Sequence, residues 1–359
     1  MAFKDIIGHS EVIENLKKRM KENRLHHAIM FYGPQGIGKR TLAKEFIKAL
    51  NCRNFDKEPC EKCNNCKWIS ENTHPDIIMI TNGIRAESLG ITTFQKKSST
   101  GAESETSEGS PAELKREISI EQIRYLEDVI YTRPIEAKFR VIFIIDAETL
   151  NRNSANAFLK TMEEPPENTI IIMTTSFLGM VPGTIRSRAE KIRLKPLSDS
   201  DMKRLLSEKL KYSSDNINII VHLLKGSLNR KILSIDNDSF REYLDMASDF
   251  VKREKITAEE ILETAALLAG TSDREERELR IYIFFTILKE LLTDIYLNRA
   301  SDIWGEYSDI RGTIKFSDIE NLKETIKFMR IAQNLYCNQG ISIKSELLRL
   351  GEKWNRLSV

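Results

Sequence analysis

Through the first half of the chain, short apolar runs alternate with longer stretches in which apolar residues recur at helical spacing. HHAIMFY (26–32), DIIMI (76–80), RVIFIID (140–146) and TIIIMTT (169–175) are dominated by apolar residues and bounded by polar ones. Runs of this length read as buried strands. Between them, TLAKEFIKAL (41–50), SIEQIRYLEDVIY (119–131) and NRNSANAFLKTMEE (151–164) carry the periodicity of amphipathic helices. Apolar strands separated by helices predict an α/β fold, a parallel sheet covered on both faces.

After LKPLS (194–198) the pattern turns helical, with DSDMKRLLSEKLKY and DNINIIVHLLKG, and from about residue 240 helix-like segments dominate. RIYIFFTILKELLTDIYL (280–297) is apolar on more than one face and reads as the centre of a helical bundle. The expected plan is an α/β domain over 1–178, a small helical lid over 179–238 and an all-α domain over 239–359. Residues 83–117 interrupt the first of these. Their SSTGAESETSEGSPAE is polar and rich in Ser, Gly and Glu, the composition of a flexible surface loop.

Composition changes this picture little. A chain of 359 residues fits two or three domains, and 41% hydrophobic content supports packed cores. The net charge of +2 does not by itself announce a nucleic-acid protein. The basic KKRMKENR (17–24) reads either as a solvated helix face or as a local basic patch. MAFKDIIGHSEV mixes charged and apolar residues from the start, unlike a signal peptide, and no apolar run reaches the ~20 residues of a membrane helix. A soluble, cytoplasmic protein is expected.

Two segments carry chemistry. GPQGIGKRT (33–41) nearly fits the phosphate-binding pattern G-x-x-x-x-G-K-[ST], in the strand–loop–helix context that the pattern needs. Gly33, Gly36 and Gly38 would let backbone N–H groups face phosphate oxygens, and Lys39 would reach the β- and γ-phosphates. The next position, which should carry a hydroxyl for Mg²⁺, is Arg40. Thr41 brings its hydroxyl one position late, about 100° further round the helix. Asp146 ends the third apolar run, where a second magnesium contact belongs. Ala147 follows it where an active ATPase has a water-orienting glutamate. Glu148 comes one later, and in an extended segment it would face the other way. Two parts of a hydrolysis site are therefore altered, with ATP or ADP and Mg²⁺ the expected cofactors if the loop is used. The second segment is the cysteine cluster. Cys52, Cys60, Cys63 and Cys66 have C-x₇-C-x₂-C-x₂-C spacing, which fits a closed, structural four-thiolate Zn²⁺ site. Cys337 lies apart on a helical apolar pattern and reads as a core residue.

These blocks together resemble one family, the clamp loaders of bacterial replication within the AAA+ ATPases. The resemblance rests on FKDIIGHSEVIENL, HHAIMFYGPQGIGKRTLA, the cysteine insertion, IIDAETLNRNSANAFLKTMEEPP, TTSFLGMVPGTIRSRAEKI and GSLNRKI, and it covers almost the whole chain. Within the family it is most similar to the delta-prime subunits of DNA polymerase III. The resemblance implies a hetero-pentameric ring with motor (tau/gamma) and delta subunits, which opens a sliding clamp and places it on primed DNA. It implies a stator with little hydrolysis of its own, and an arginine finger, Arg188 of Ser187-Arg188-Ala189, reaching a neighbouring motor's ATP. The family's third residue at that motif is cysteine. Thr174 and Thr175 lie at the family's first sensor and Arg230 at its second. Each has a plain alternative: a solvated loop arginine for Arg188, structural β-branched residues for the threonines, a helix-surface arginine for Arg230. Gly8 and His9 would lie near an adenine base. The helical C-terminal region, with NQGISIKSELLRL, would be the collar of the ring. Two other functions compete with the stator: an active AAA+ motor, and a zinc-dependent nucleic-acid module, for which Trp68 is the one aromatic near the cluster's end.

Overall fold

A computed structural model of the chain describes residues 2–82, 117–208, 216–252, 257–270, 273–297, 303, 304, 307, 349 and 350. They form two compact units that divide between Leu197 and Ser198.

The first unit is built on five parallel strands: β1 (Ala28–Tyr32), β2 (Ile77–Ile80), β3 (Arg140–Ile144), β4 (Thr169–Thr175) and β5 (Glu190–Arg193). Their order is β2-β3-β4-β1-β5. Six helices accompany them: α1 (Ser10–Lys21), α2 (Lys39–Asn51), α3 (Asn64–Glu71), α4 (Ile120–Ile130), α5 (Arg152–Glu163) and α6 (Gly183–Arg188). Successive strand side chains point to opposite faces, so an all-apolar strand feeds two cores. Ala28, Met30, Ile142, Ile144, Ile171 and Met173 pack with Ile123, Leu126 and Phe158 of α4 and α5. Ile29, Phe31, Val141, Phe143, Ile170 and Ile172 pack on the other face with Leu16, Leu42, Phe46 and Ile69 of α1, α2 and α3.

One strand was not expected. EKIR pairs with β1, Ile29 to Tyr32 opposite Glu190 to Arg193. It is an edge strand with half-exposed and exposed residues in alternation, so it lacks the apolar run of the others. Because β5 belongs to the sheet, the first unit runs to Leu197 rather than ending at 178. Of residues 83–117, only Glu117 is described.

A buried ion pair fastens the segment between α4 and β3. The Asp76 carboxylate accepts from the backbone N–H groups of Ile135, Glu136 and Ala137 at 2.8–3.0 Å and from the Arg140 guanidinium at 3.1 Å. Arg140 also donates to the carbonyls of Val129, Thr132 and Arg133. Burial alone would raise the Asp76 pKa. The three N–H donors and Arg140 outweigh it and hold the carboxyl below its ordinary 3.8. A depressed carboxyl stabilises the fold above its unfolded pKa, and that contribution is lost as pH falls through the folded value. Asp76→Asn strands a buried guanidinium and is expected to cost about 3–5 kcal/mol in urea unfolding at neutral pH. The gap from wild type should narrow only below the ordinary carboxylate pKa. A gap under ~1 kcal/mol, the size of an exposed pair, would contradict this role.

The second unit holds α7 (Asp199–Glu208), α8 (Ile217–Leu224), α9 (Arg230–Leu233), α10 (Asn237–Lys252), α11 (Ala258–Ala269) and α12 (Arg274–Tyr296). α12 takes in the 280–297 run up to Tyr296 and buries Ile281, Ile283, Phe285, Thr286, Ile287 and Leu288 around its circumference, as expected of a central helix. Its buried acids are partnered: Asp294 with His222 at 2.7 Å and with the Trp304 indole at 2.9 Å, and Glu290 with Lys225 at 2.7 Å. The expected division at 238/239 falls inside α10. Cys337 lies outside the described residues, as does NQGISIKSELLRL apart from Arg349 and Leu350. No helix among the described residues is long and apolar enough to cross a membrane.

Candidate functional site

The strand order places the loop after β1 beside the end of β4, in the crevice where ligands of open α/β sheets bind. The loop depends on glycine. Gly33 has φ +151°, and a Cβ there would sit 2.4 Å from the Leu194 carbonyl oxygen and 2.7 Å from Ile37 Cδ1. Gly36 and Gly38 have φ of 79° and 92°, and Gly38 caps α2. The Gly33 N–H donates to the Thr175 carbonyl at 3.3 Å, which ties the loop to β4.

Lys39 is only 6% exposed. Its ammonium donates to the carbonyls of Gly33 at 2.8 Å and Pro34 at 2.6 Å and to Ser176 Oγ at 3.0 Å. Burial pulls its pKa below the ordinary 10.5, Glu148 and Asp146 oppose the shift, and Arg40 adds to it. The expected residues Gly33, Gly36, Gly38, Lys39, Asp146 and Thr175 therefore gather around one crevice. Thr41 is exposed on the first turn of α2. Arg40 reaches across 106 positions of sequence to form an ion pair with the Asp146 carboxylate.

Glu148 does not point away, contrary to the expectation for an extended segment. β3 ends at Ile144, Asp146 adopts a left-handed conformation with φ 57°, and a 3-10 turn follows over Ala147–Thr149. The turn brings Glu148 Oε1 to the Ser176 N–H at 2.9 Å, while Oε2 is buried with no hydrogen-bond partner. Glu148 thus lies near enough to act on Lys39. Thr174 Oγ1 accepts from the Asp146 N–H at 3.3 Å, and Thr175 Oγ1 accepts from the Phe177 N–H at 3.2 Å. Both hydroxyls serve the backbone here. One site residue was missed from sequence. Ser176 follows the Thr-Thr pair. His9 bonds through Nε2 to the Ile37 carbonyl at 2.8 Å and fastens the start of α1 to the loop.

Arg188 ends α6. It donates to the Thr184 carbonyl at 3.1 Å and pairs with Glu163 at the end of α5. Its side chain is 37% exposed, beside an open pocket of about 320 Å³ that His26, His27 and Met162 also line. Arg230 is exposed at the first position of α9, in the second unit.

Cys52 closes α2, Cys63 caps α3 and Cys66 lies in its first turn. With Cys60 their sulfurs all lie within 4.8 Å of one another, a group that can hold one metal ion. Four Zn–S bonds of about 2.3 Å define a tetrahedron with edges of about 3.8 Å, so the cage fits after a small contraction. The Cys60 N–H donates to Cys52 Sγ at 3.2 Å and the Cys63 N–H to Cys60 Sγ at 3.4 Å. Against the opposing effect of burial, the N–H groups of Lys62 and Cys63 bring the Cys60 thiol down to about 6. The donor set is preformed for a thiophilic cation. Buried Lys48 joins this module to α2, at 2.8 Å from both Glu45 and Glu61.

The profile of the family described as "DNA polymerase III, delta subunit" matches residues 8–198. Among curated relatives, DNA polymerase III subunit tau/gamma of Haemophilus influenzae is 32% identical over 206 residues, 57% of this chain and 25% of its own length. DNA polymerase III subunit gamma of Buchnera aphidicola subsp. Acyrthosiphon pisum is 31% identical over 205 residues, 57% of this chain and 48% of its own. The chain thus spans a quarter to about half the length of these two relatives. A gamma subunit-related protein of Thermotoga maritima, known as a crystal structure, superposes with TM-score 0.46 at 14% identity, covering 97% of this chain and 99% of that one. The profile match takes in the sheet, the phosphate loop, the cysteine cage and Arg188, and the chain belongs to this family of AAA+ clamp-loader proteins.

Proposed function

We propose that the chain is a delta-prime-like stator of a DNA polymerase III clamp loader. It joins motor (tau/gamma) and delta subunits in a hetero-pentamer that loads a sliding clamp on primed DNA during replication, in the cytoplasm. The observation that carries this reading is a partly exposed Arg188 held by α5 and α6, and not by its own phosphate loop. An arginine so held is available to a neighbour's γ-phosphate. Arg40 and Ala147 support the same reading, because they replace the hydroxyl and the glutamate that a motor needs.

In this reading the four cysteines hold a structural Zn²⁺ with no open coordination position. Thr175 and Arg230 are the vestiges of the two sensors, and the second unit supplies lid and collar. The names of the curated relatives favour a second reading, an active tau/gamma-like motor. Steady-state ATPase separates the two. The stator reading expects no turnover by the purified chain with Mg²⁺, and turnover once motor, delta, clamp and primed DNA are added. Turnover by the chain alone would sink it and establish the motor.

A further inference from the structure

We propose that Arg40 is a tethered cation standing where magnesium belongs, and that it excludes the metal from the phosphate loop. A phosphate chain entering this loop does so without a divalent ion.

Position is the first support. Arg40 follows Lys39 directly, at the place whose hydroxyl ligates Mg²⁺ in phosphate loops. A guanidinium has five donors, no acceptor and a permanent charge, so it repels a cation and cannot ligate one. The partner is the second support. Arg40 pairs with Asp146, the acid that would make the other protein contact to the metal. The remaining donors are the third. The Lys39 ammonium is spent on Gly33, Pro34 and Ser176. Lys39 and Arg40 together balance Asp146 and Glu148, so the crevice is neutral without any ion. For magnesium to enter, Asp146 would have to release Arg40, and two extra positive charges would join two fixed ones. Thr41, one position round the helix, does not repair the ligand set. The residues present do not fit the metal. Phosphate oxygens suit them better, because the paired Arg40 side chain is 57% exposed and keeps further donors for an anion.

This deepens the reading of the loop as non-hydrolysing. Its test measures metal dependence of binding rather than turnover, so either can fail without the other. A fluorescent ADP analogue is titrated into the full chain with excess Mg²⁺ or with EDTA. Wild type is expected to show no magnesium-dependent binding, its affinity being the same in both or absent in both. Arg40→Ser restores the hydroxyl and frees Asp146. Magnesium should then tighten binding on the order of tenfold, a usual coupling between two ligands. The double variant Arg40→Ser/Asp146→Asn should lose that gain. Thermal melts verify that each variant is folded, and exposure of Arg40 makes that the expected result. Magnesium-tightened binding by wild type overturns the proposal. So does an Arg40→Ser protein without magnesium dependence, or a double variant that keeps it.

Discussion

Arg188→Ala is expected to leave the chain folded and to lower ATP turnover of the reconstituted clamp loader by on the order of 10³-fold or more. The two halves of this result have different causes. Within the chain, Arg188 makes an exposed pair with Glu163 and exposed bonds to the Thr184 carbonyl and the Ser187 hydroxyl. Exposed pairs contribute at most about 1 kcal/mol, so the melting temperature should fall by no more than about 2–4 °C. In the assembly, the same guanidinium would meet charge that develops on the γ-phosphate only in the transition state. A donor aimed at that charge in a dry interface is worth far more than a surface ion pair. Arg188→Lys keeps the charge but not the planar fork and should recover only part of the rate. Glu163→Ala removes the resting partner and should leave turnover near wild type. Arg188→Ala turnover within twofold of wild type would make this side chain an ordinary surface arginine.

What was legible in the sequence follows from how local each signal is. β1, β3 and β4 announce themselves because burial on both faces demands continuous apolar residues, and β2, although at the opposite edge from β5, is apolar throughout. β5 carries Ile192 between charged neighbours, since an edge strand needs only half of that burial, and so it was missed. The cysteine cage was legible because thiols two residues apart converge within one turn. The placement of Glu148 was not, because it hinges on one left-handed residue, Asp146, and aspartate is a residue that tolerates that conformation without announcing it. The pairing of Arg40 with Asp146 lies beyond any local pattern. Each was singled out as an anomaly or a metal contact, and only the strand order brings the two together.

Removing the metal is expected to unfold a module and spare the sheet. Structural zinc contributes on the order of 10–16 kcal/mol of apparent binding energy in isolated finger peptides, which do not fold without it. Residues 53–62 form no strand or α-helix, and apart from the cysteines they are held by Phe55 against the core and by ion pairs of Arg53 with Glu136, Glu58 with Lys17 and Glu61 with Lys48. α3 is better placed, because Ile69 packs in the core with Phe46 and Leu50 of α2, and Asn65 bonds the Asn51 carbonyl at 2.8 Å. The five strands owe nothing to the cysteines. Chelation, or Cys63→Ser, should therefore release about one zinc per chain by elemental analysis. It should speed amide exchange across 53–66 on the order of a hundredfold or more, about 2.7 kcal/mol, while β1, β3 and β4 keep their protection. The Lys48 ammonium would be the internal reporter, since losing Glu61 takes one carboxylate from a 1% exposed cation. Native protein without zinc would reject the cage as a metal site. Loss of DNA affinity by a Cys63→Ser chain whose sheet remains intact would instead give the module a nucleic-acid role that a purely structural site does not have.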